Sequence, residues 1–236
     1  MKGMILAAGL GTRLKPFTES HPKALLPING KILLQRNIEY LQLFNVKDVI
    51  VNVHHFATQI INAVQQNNGW GSNVTISDET DLVLETGGGL KKAGQYLQTS
   101  SEPFVLMNAD ILTDLDIDEL QNLQDKSDAI ATLAVTNRST SRYLLFDDDN
   151  FLCGWLNEKT GEQKGKTGNK KAFSGIHIIS PKIFEHIKEE GKFSMIDLYL
   201  RLAAEGFKIN CYDHSEGHLL DVGKPESITI AEKMFP

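Results

Sequence analysis

Apolar runs and stretches of helical periodicity alternate along the first half of the chain. The apolar runs are short and nearly uninterrupted, as is typical of strands buried on both faces of a sheet. They comprise residues 4–7, 48–53, 74–77, 104–108 and 129–135. Between them, apolar residues recur at helical spacing, as at Leu34, Ile38 and Leu41. This alternation predicts an α/β fold with a Rossmann-like, doubly wound and mostly parallel sheet, covered by helices on both faces.

The second half of the chain has a different pattern. "RYLLF" and "FLCGWL" flank "DDDN", which predicts a β-hairpin over residues 142–156. Residues 159–171 are basic and rich in glycine, so their composition predicts a mobile loop. Beyond this loop the pattern predicts strands at residues 173–179, 209–213 and 218–223, and helices that begin at Pro181, Ser194 and Pro225. We find no repeat and no linker, and expect residues 1–236 to form a single domain.

The composition limits the classes of partner. The chain has 236 residues, of which 41% are hydrophobic and 23% are charged, and its net charge is −6. This acidic balance argues against non-specific binding of nucleic acid, which needs a broad basic surface. No apolar stretch is long enough for a membrane span, and no secretory signal is visible, so we expect a cytoplasmic protein without membrane contact. The two cysteines, Cys153 and Cys211, do not form a redox or metal-binding motif.

A glycine-rich, basic stretch follows the first predicted strand. In "GLGTRLKPFTESHPK", Gly9 and Gly11 come directly after the strand, and Arg13 and Lys23 follow within a short distance. Glycine turns beyond the carboxyl end of a parallel strand present backbone N–H groups that bind phosphate. The stretch matches neither the GxxxxGK[ST] P-loop nor the GxGxxG dinucleotide turn. It therefore indicates a different kind of polyphosphate site.

The stretch "LAAGLGTRLKPFTESHPKALLPI" resembles the signature of the sugar-1-phosphate nucleotidyltransferases. The resemblance continues at "ETGGG" (85–89), "NAD" (108–110), "FSGI" (173–176) and "DVG" (221–223). Order and spacing are most similar to the short members, which include N-acetylmuramate 1-phosphate uridylyltransferases and mannose- or heptose-1-phosphate guanylyltransferases. The resemblance implies an enzyme that joins a nucleoside triphosphate and a sugar 1-phosphate into a nucleotide sugar and releases pyrophosphate. Such products are precursors of cell walls and surface glycans.

The resemblance also implies roles for individual residues. Residues 1–136 would mainly bind the nucleotide and residues 137–236, with the hairpin, mainly the sugar phosphate. The implied nucleotide ligands are Leu6, Ala7, Ala8, Gly9, Gly11, Thr12, Arg13, Lys23, Glu85, Gly87 and Gly88. Arg13 would hold the leaving pyrophosphate, Lys23 would contact the α-phosphate, and Asp110 would complete the catalytic set. Asp110 and Asp221 match the two aspartates that bind Mg²⁺, or alternatively Mn²⁺, in the family.

Sugar recognition follows the family pattern less closely. The implied sugar-phosphate ligands are Asn108, Glu158, Lys159, Ser174 and Gly175. Many members have "EKP" in the second half, whereas this chain has "NEKTG" and lacks the proline. Glu158 and Lys159 therefore fit either a sugar-phosphate contact or a solvated hairpin end.

Two alternatives to an active transferase remain. A catalytically inactive protein of the same fold would bind a nucleotide or a sugar phosphate without turnover, but Lys23, Asp110 and Asp221 are all retained. A nicotinamide-dependent oxidoreductase is disfavoured by the failed GxGxxG match. The sequence does not decide which base and which sugar are used, nor whether the protein is a monomer or a small homo-oligomer.

Overall fold

The strands of this protein form one large mixed sheet and two short ribbons. The computed structural model describes residues 1–236. In chain order the strands are β1 (Gly3–Leu6), β2 (Pro27–Ile28), β3 (Lys31–Ile32), β4 (Asp48–Val53), β5 (Asn73–Asp78), β6 (Phe104–Asn108), β7 (Ile111–Thr113), β8 (Ala131–Thr136), β9 (Arg142–Phe146), β10 (Leu152–Asn157), β11 (Glu162–Gly165), β12 (Asn169–Ile179), β13 (Ile209–Asp213) and β14 (Leu219–Asp221). The α-helices are α1 (Leu33–Leu43), α2 (Ala57–Gln66), α3 (Glu85–Leu97), α4 (Ile117–Asp125), α5 (Met195–Ala204) and α6 (Pro225–Met234).

The parallel part of the sheet contains the apolar runs of the first half. Its strands follow the order β5-β4-β1-β6, and each pairs in parallel with its neighbour. β12 continues the sheet antiparallel to β6, and β9, β10 and β11 extend it further. β8 also pairs with β12 and carries β13 in parallel on its other side. The predicted α/β class and Rossmann-like sheet are confirmed.

Helices cover both faces of the sheet, as predicted. α1, α2 and α4 bury their apolar sides in a core cluster that includes Leu34, Ile60 and Leu120. α3 and α5 pack on the opposite face, where Leu90 and Leu198 belong to a second cluster. α6 covers a smaller third cluster beside the first turns of the chain. None of the helices combines the length and apolar character that would let it cross a membrane.

Two predictions of local structure were wrong. The stretch 159–171 is not a loop, because it contains β11 and the first residues of β12, which pair with the hairpin strands β10 and β9. The segment Pro181–His186 is a 3₁₀ helix instead of an α-helix. α3 begins at Glu85, so the glycines 87–89 lie in its first turns.

Candidate active site

A cleft of about 690 Å³ opens at the carboxyl ends of β1, β4 and β6. Ligands of open α/β sheets bind at this edge, where the loops that follow the parallel strands meet. The cleft brings together ten of the residues that the sequence implicates. These are Leu6, Ala7, Ala8, Gly9, Gly11, Thr12, Lys23, Glu85, Asn108 and Asp110. Residues from the two ends of the predicted nucleotide-binding half therefore share one cavity.

Gly11 shapes the glycine-rich turn at the wall of this cleft. Its φ is +61°, a conformation that favours glycine, and it precedes a 3₁₀ turn over Thr12–Leu14. A Cβ at Gly11 would lie 2.9 Å from Thr18 Cγ2 and 3.1 Å from Lys23 Cβ. The Thr18 hydroxyl also donates a hydrogen bond to the Gly11 carbonyl at 2.9 Å. Glycine is thus required here by the backbone angle and by the packing of the turn against Lys23.

A buried polar chain supports the start of the same loop. The Ala7 N–H donates to Asn52 Oδ1 at 2.7 Å, and Asn52 Nδ2 donates to Glu79 Oε1 at 2.8 Å. Glu79 is only 1% exposed, its other carboxyl oxygen has no partner, and burial raises the pKa of its carboxyl. Gly89 lies against this pair, since a Cβ there would come within 2.9 Å of both side chains. The position of Ala7 therefore depends on a polar network that lies beneath the cleft.

Lys23 lies between the two aspartates that the sequence assigns to metal binding. Its Nζ forms an ion pair with Asp110 Oδ2 and lies 3.9 Å from Asp221 Oδ1. Two features of the chain bring the carboxylates together. Asp110 follows β6, and Asp221 ends β14, which pairs with β7; the Val222 N–H also donates to the Asp110 carbonyl at 2.9 Å. Burial, and next the charge of Asp110, raise the pKa of Asp221.

The donor set of these aspartates fits a magnesium ion. Mg²⁺ is commonly held by one or two carboxylates, with phosphate and water oxygens in the other positions. Asp110 and Asp221 supply that number, and nowhere do three or more His, Cys, Asp or Glu side chains form an all-protein cage. The repulsion that raises the pKa of Asp221 is relieved by a cation, which is now the Lys23 ammonium.

Arg13 lies beside this group and outside the cleft lining. Its guanidinium packs over Gly223, where a Cβ would lie 2.8 Å from Arg13 Nη2 and closely approach Asp221 Oδ1. The positive charge of Arg13 partly offsets the rise in the pKa of Asp221. The glycine of "DVG" thus makes room for an arginine next to the metal-binding candidate.

Gly87 and Gly88 pack against protein in this structure. The Gly87 N–H donates to the Phe193 carbonyl at 2.9 Å, and a Cβ at Gly87 would overlap the Phe193 ring. A Cβ at Gly88 would overlap the Gly191 carbonyl. The two glycines therefore allow residues 191–194 to dock on the first turn of α3, and neither lines the cleft. Their predicted contact with the nucleotide stays a prediction.

The predicted sugar-phosphate residues lie in three different places. Asn108 lines the cleft. Gly175, with a φ of +77°, packs against the Asn108 side chain at an irregularity in β12. Ser174 is fully buried and its hydroxyl hydrogen bonds to His214 Nε2 at 2.7 Å. Glu158 forms an ion pair with Lys170 at 2.6 Å, whereas Lys159 is exposed at the end of the hairpin. Neither Glu158 nor Lys159 is among the residues that line the cleft.

Thr86 lines the cleft from within the "ETGGG" motif, and four polar residues of the cleft outside the quoted motifs were missed by the sequence analysis. Asn52, Arg142, Lys192 and Ser194 all line it. Asn52 had a visible signal, because it is an amide at the end of an otherwise apolar strand. The other three had none, since their place in the cleft depends on how β9 pairs with β12 and how the segment before α5 docks on α3. Lys192 Nζ lies 3.3 Å from Oε1 of Glu85, the first residue of α3.

Comparison with known proteins agrees with the geometry of the cleft. A sequence profile described as nucleotidyl transferase matches residues 2–235. The chain belongs to the nucleotidyl transferase family. An N-acetylmuramate alpha-1-phosphate uridylyltransferase from Caulobacter vibrioides is 34% identical over 97% of this chain and 94% of its own length. A mannose-1-phosphate guanyltransferase from Yarrowia lipolytica is 30% identical over 96% of this chain, which spans 61% of that relative.

A solved structure of similar fold also covers the whole nucleotidyl transferase chain. This is HddC from Yersinia pseudotuberculosis complexed with GMP-PN, with a TM-score of 0.78 and 28% identity over 100% of this chain and 99% of HddC. Relatives of the chain are thus uridylyl- and guanylyltransferases that act on sugar 1-phosphates. The resemblance noted in the sequence is confirmed at the level of the family. The roles of individual residues stay predictions.

Proposed function

We propose that this nucleotidyl transferase joins a nucleoside triphosphate to a sugar 1-phosphate and releases pyrophosphate. The observation that carries the proposal is the placement of Lys23 between Asp110 and Asp221, next to the glycine-rich turn. Lys23 and Asp110 line the cleft and Asp221 lies beside them, and such a group of one ammonium and two carboxylates suits a reaction in which charge builds up on phosphate oxygens. An inactive binding protein would not need to retain all three groups in contact.

In the proposed reaction an oxygen of the sugar 1-phosphate attacks the α-phosphorus of the nucleotide. A new O–P bond forms as the bond between the α-phosphorus and the oxygen bridging to the β-phosphorus breaks, and pyrophosphate carries away the electron pair. Backbone N–H groups of residues 8–12 hold the triphosphate, and Arg13 neutralises the leaving group with its planar fork of donors. Lys23 follows the charge on the transferring phosphoryl group. Catalysis then rests on positioning and charge, without a covalent intermediate on the protein.

Members of this family generally use a divalent metal ion, and we propose Mg²⁺ here, with Mn²⁺ as a substitute. Asp110 and Asp221 would hold it, and the bound ion would neutralise phosphate oxygens as a Lewis acid. In this proposal residues 1–136 mainly bind the nucleotide. Residues 137–236 mainly bind the sugar phosphate.

The relatives suggest two pairs of substrates. UTP with N-acetylmuramate 1-phosphate is the pair named for the relative from Caulobacter vibrioides, and GTP with mannose 1-phosphate corresponds to the guanyltransferase. GTP with heptose 1-phosphate is a related possibility within the same reaction class. Each product would be a precursor for a cell wall or surface glycan, made in the cytoplasm.

A matrix of substrates tests the proposal directly. UTP, GTP, CTP, ATP and dTTP are each combined with a set of sugar 1-phosphates in the presence of Mg²⁺, and released pyrophosphate is measured. We expect one base and one sugar to dominate, and Asp110→Asn to abolish the signal. Nucleotide binding by calorimetry without pyrophosphate release from any pair would instead support an inactive binding protein.

A further inference from the structure

We propose that Arg142 selects an acceptor whose sugar carries a carboxylate in addition to its 1-phosphate. This inference rests on the proposed transferase function and goes further by naming the class of sugar. It concerns Arg142 on β9, a residue of the cleft that the sequence analysis did not name as a ligand. Acidic acceptors would bind there through the guanidinium, and neutral sugars would leave it without an anionic partner.

The cations of the cleft differ in whether the protein already supplies them with an anionic partner. Three basic side chains line it, and two of them already face carboxylates. Lys23 forms its ion pair with Asp110, and Lys192 lies 3.3 Å from Glu85. The side chain of Arg142 has no carboxylate within 4 Å and makes no hydrogen bond to another residue. It is the cation of this cleft that is free for an anionic group of a ligand.

The place of Arg142 in the sheet separates it from the reacting phosphates. The attacked phosphorus must lie near Lys23 and Asp110, just beyond β6. Arg142 begins β9, which pairs with residues 169–171 of β12, whereas β6 pairs with residues 176–179 of the same strand, so the two strands meet different parts of β12. Arg142 and Asp110 nevertheless line one cleft. An acceptor whose phosphate lies at Asp110 can therefore direct substituents of its sugar ring toward Arg142.

The chemistry of the side chain favours a carboxylate as that substituent. A guanidinium presents parallel N–H donors that match the two oxygens of a carboxylate, and such pairs are stronger than hydrogen bonds to hydroxyl groups. The facing residue on β10 is Asn157, which is neutral, so the protein does not itself supply the counter-ion. A carboxylate on the sugar, as a lactyl ether or at C6, would supply it.

Matched acceptors that differ only in the acidic group test the inference. N-acetylmuramate 1-phosphate is compared with N-acetylglucosamine 1-phosphate, and glucuronate 1-phosphate with glucose 1-phosphate, each with the preferred nucleotide and Mg²⁺. We expect kcat/KM to favour the acid in one pair by about 10- to 100-fold, the value of a lost hydrogen bond to a charged group. The pair that shows the preference identifies where the carboxylate is carried.

Substitution of Arg142 then links the preference to the residue. Arg142→Ala should reduce the preference for the acid to within about 2-fold, mainly through KM, and Arg142→Lys should restore part of it. Lys166→Ala removes an exposed lysine that forms no ion pair, from the connection between β11 and β12, and should change neither value. Arg142 lies at the exposed end of its strand, so the melting temperature of each variant should equal that of the parent.

Three results would overturn the inference. The first is a parent enzyme that prefers the neutral member of both pairs. The second is an Arg142→Ala variant that loses the same factor with acidic and neutral acceptors, because Arg142 would then bind the phosphate. The third is Lys159→Ala abolishing the preference while Arg142→Ala leaves it intact. Turnover of neutral sugars alone would contradict the role of Arg142 but agree with the proposed transferase function. No turnover with any acceptor would contradict both.

Discussion

Lys23 occupies the most constrained position in the cleft. Its Cβ packs against Gly11, and its ammonium is shared between Asp110 and Asp221, with 13% of the side chain exposed. A cation held in this way is preorganised, and it needs little rearrangement to follow charge on a phosphoryl oxygen. This placement distinguishes it from Lys15 on the same stretch, whose side chain is 63% exposed and pairs with Glu19 at 3.5 Å.

The first prediction is that Lys23→Ala damages the chemical step. We expect the single-turnover rate at saturating substrates to fall. The decrease should correspond to a loss of about 2–4 kcal/mol of transition-state stabilisation, the range for one preorganised donor. The KM for the nucleotide should change much less. Lys15→Ala serves as the control and should leave the rate unchanged. A Lys23→Ala enzyme as fast as the parent would exclude Lys23 from the chemistry.

The second prediction concerns Glu79 and pH. Burial raises the pKa of Glu79 in the folded protein, so the folded state holds a proton that the unfolded chain releases. The resulting stabilisation is complete at low pH and is lost as pH rises through the folded pKa. Glu79→Gln cannot ionise, and its melting temperature relative to the parent should therefore increase between about pH 5 and about pH 8.

Asp78→Asn is the matched control for Glu79. A hydrogen bond from the Thr80 backbone lowers the pKa of Asp78, so both its folded and unfolded pKa values lie below this range. Its effect on the melting temperature should be constant from about pH 5 to about pH 8. A Glu79→Gln difference that is equally constant would show that burial does not shift this carboxyl.

Single residues also show where sequence reasoning reached its limit. Gly11 and Asp110 could be predicted because each lies within a few residues of a strand end, so local sequence places them at the edge of the sheet. Arg142 could not, since its position depends on a strand that joins the sheet through β12. Ser174 was assigned to the sugar by resemblance, but its hydroxyl lies in the core with His214.

At the scale of elements, glycine has two different structural roles: it makes loops flexible, and it lets strands approach each other closely. In residues 159–171 the glycines were interpreted as signs of a mobile loop, yet Gly165 and Gly168 lie against the backbone of Cys153 and Phe146. Close approach between strands requires the missing side chain as much as flexibility does. Composition alone does not separate these two cases, because the partner strands are distant in sequence.

The third prediction tests the contact between α3 and the segment before α5. Gly87→Ala introduces a Cβ that overlaps the Phe193 ring, and we expect overpacking to lower the free energy of unfolding by about 1–3 kcal/mol. Chemical denaturation measures this change. Combining the substitution with Phe193→Leu should recover part of the loss, so that the double variant is more stable than the sum of the two single effects predicts. Strict additivity would show that the ring is not the obstacle.

The whole molecule carries a net charge of −6, although its cleft presents Lys23, Arg142 and Lys192. Local cations and a divalent metal would therefore have to attract anionic substrates against the overall charge. The α/β fold itself could be predicted from the sequence, because periodicity and the order of elements are local properties. The path of the sheet beyond β6 could not, since it depends on pairing between distant segments.

The fourth prediction concerns the metal. Mg²⁺ without substrates should raise the melting temperature of the parent protein by a few degrees, because it relieves the repulsion between Asp110 and Asp221. Asp110→Asn combined with Asp221→Asn should remove this shift, and exhaustive chelation should abolish turnover by the parent. Undiminished turnover after chelation, or an equal thermal shift in the double variant, would contradict a metal site at these aspartates.

The long strand β12 has a mechanical consequence for the way this molecule admits its substrates. Residues 169–171 of β12 hydrogen bond with β9, whereas residues 176–179 hydrogen bond with β6 and β8, so a single strand joins β6 and β9, which carry the cleft residues Asn108 and Arg142. Hinge bending between β6 and β9 would have to break these ladders. Entry and exit are left to the loops around the rim, where Leu10 and Leu82 are 47% and 56% exposed. Motion during substrate entry and product release would then be confined to these loops, while the sheet stays rigid.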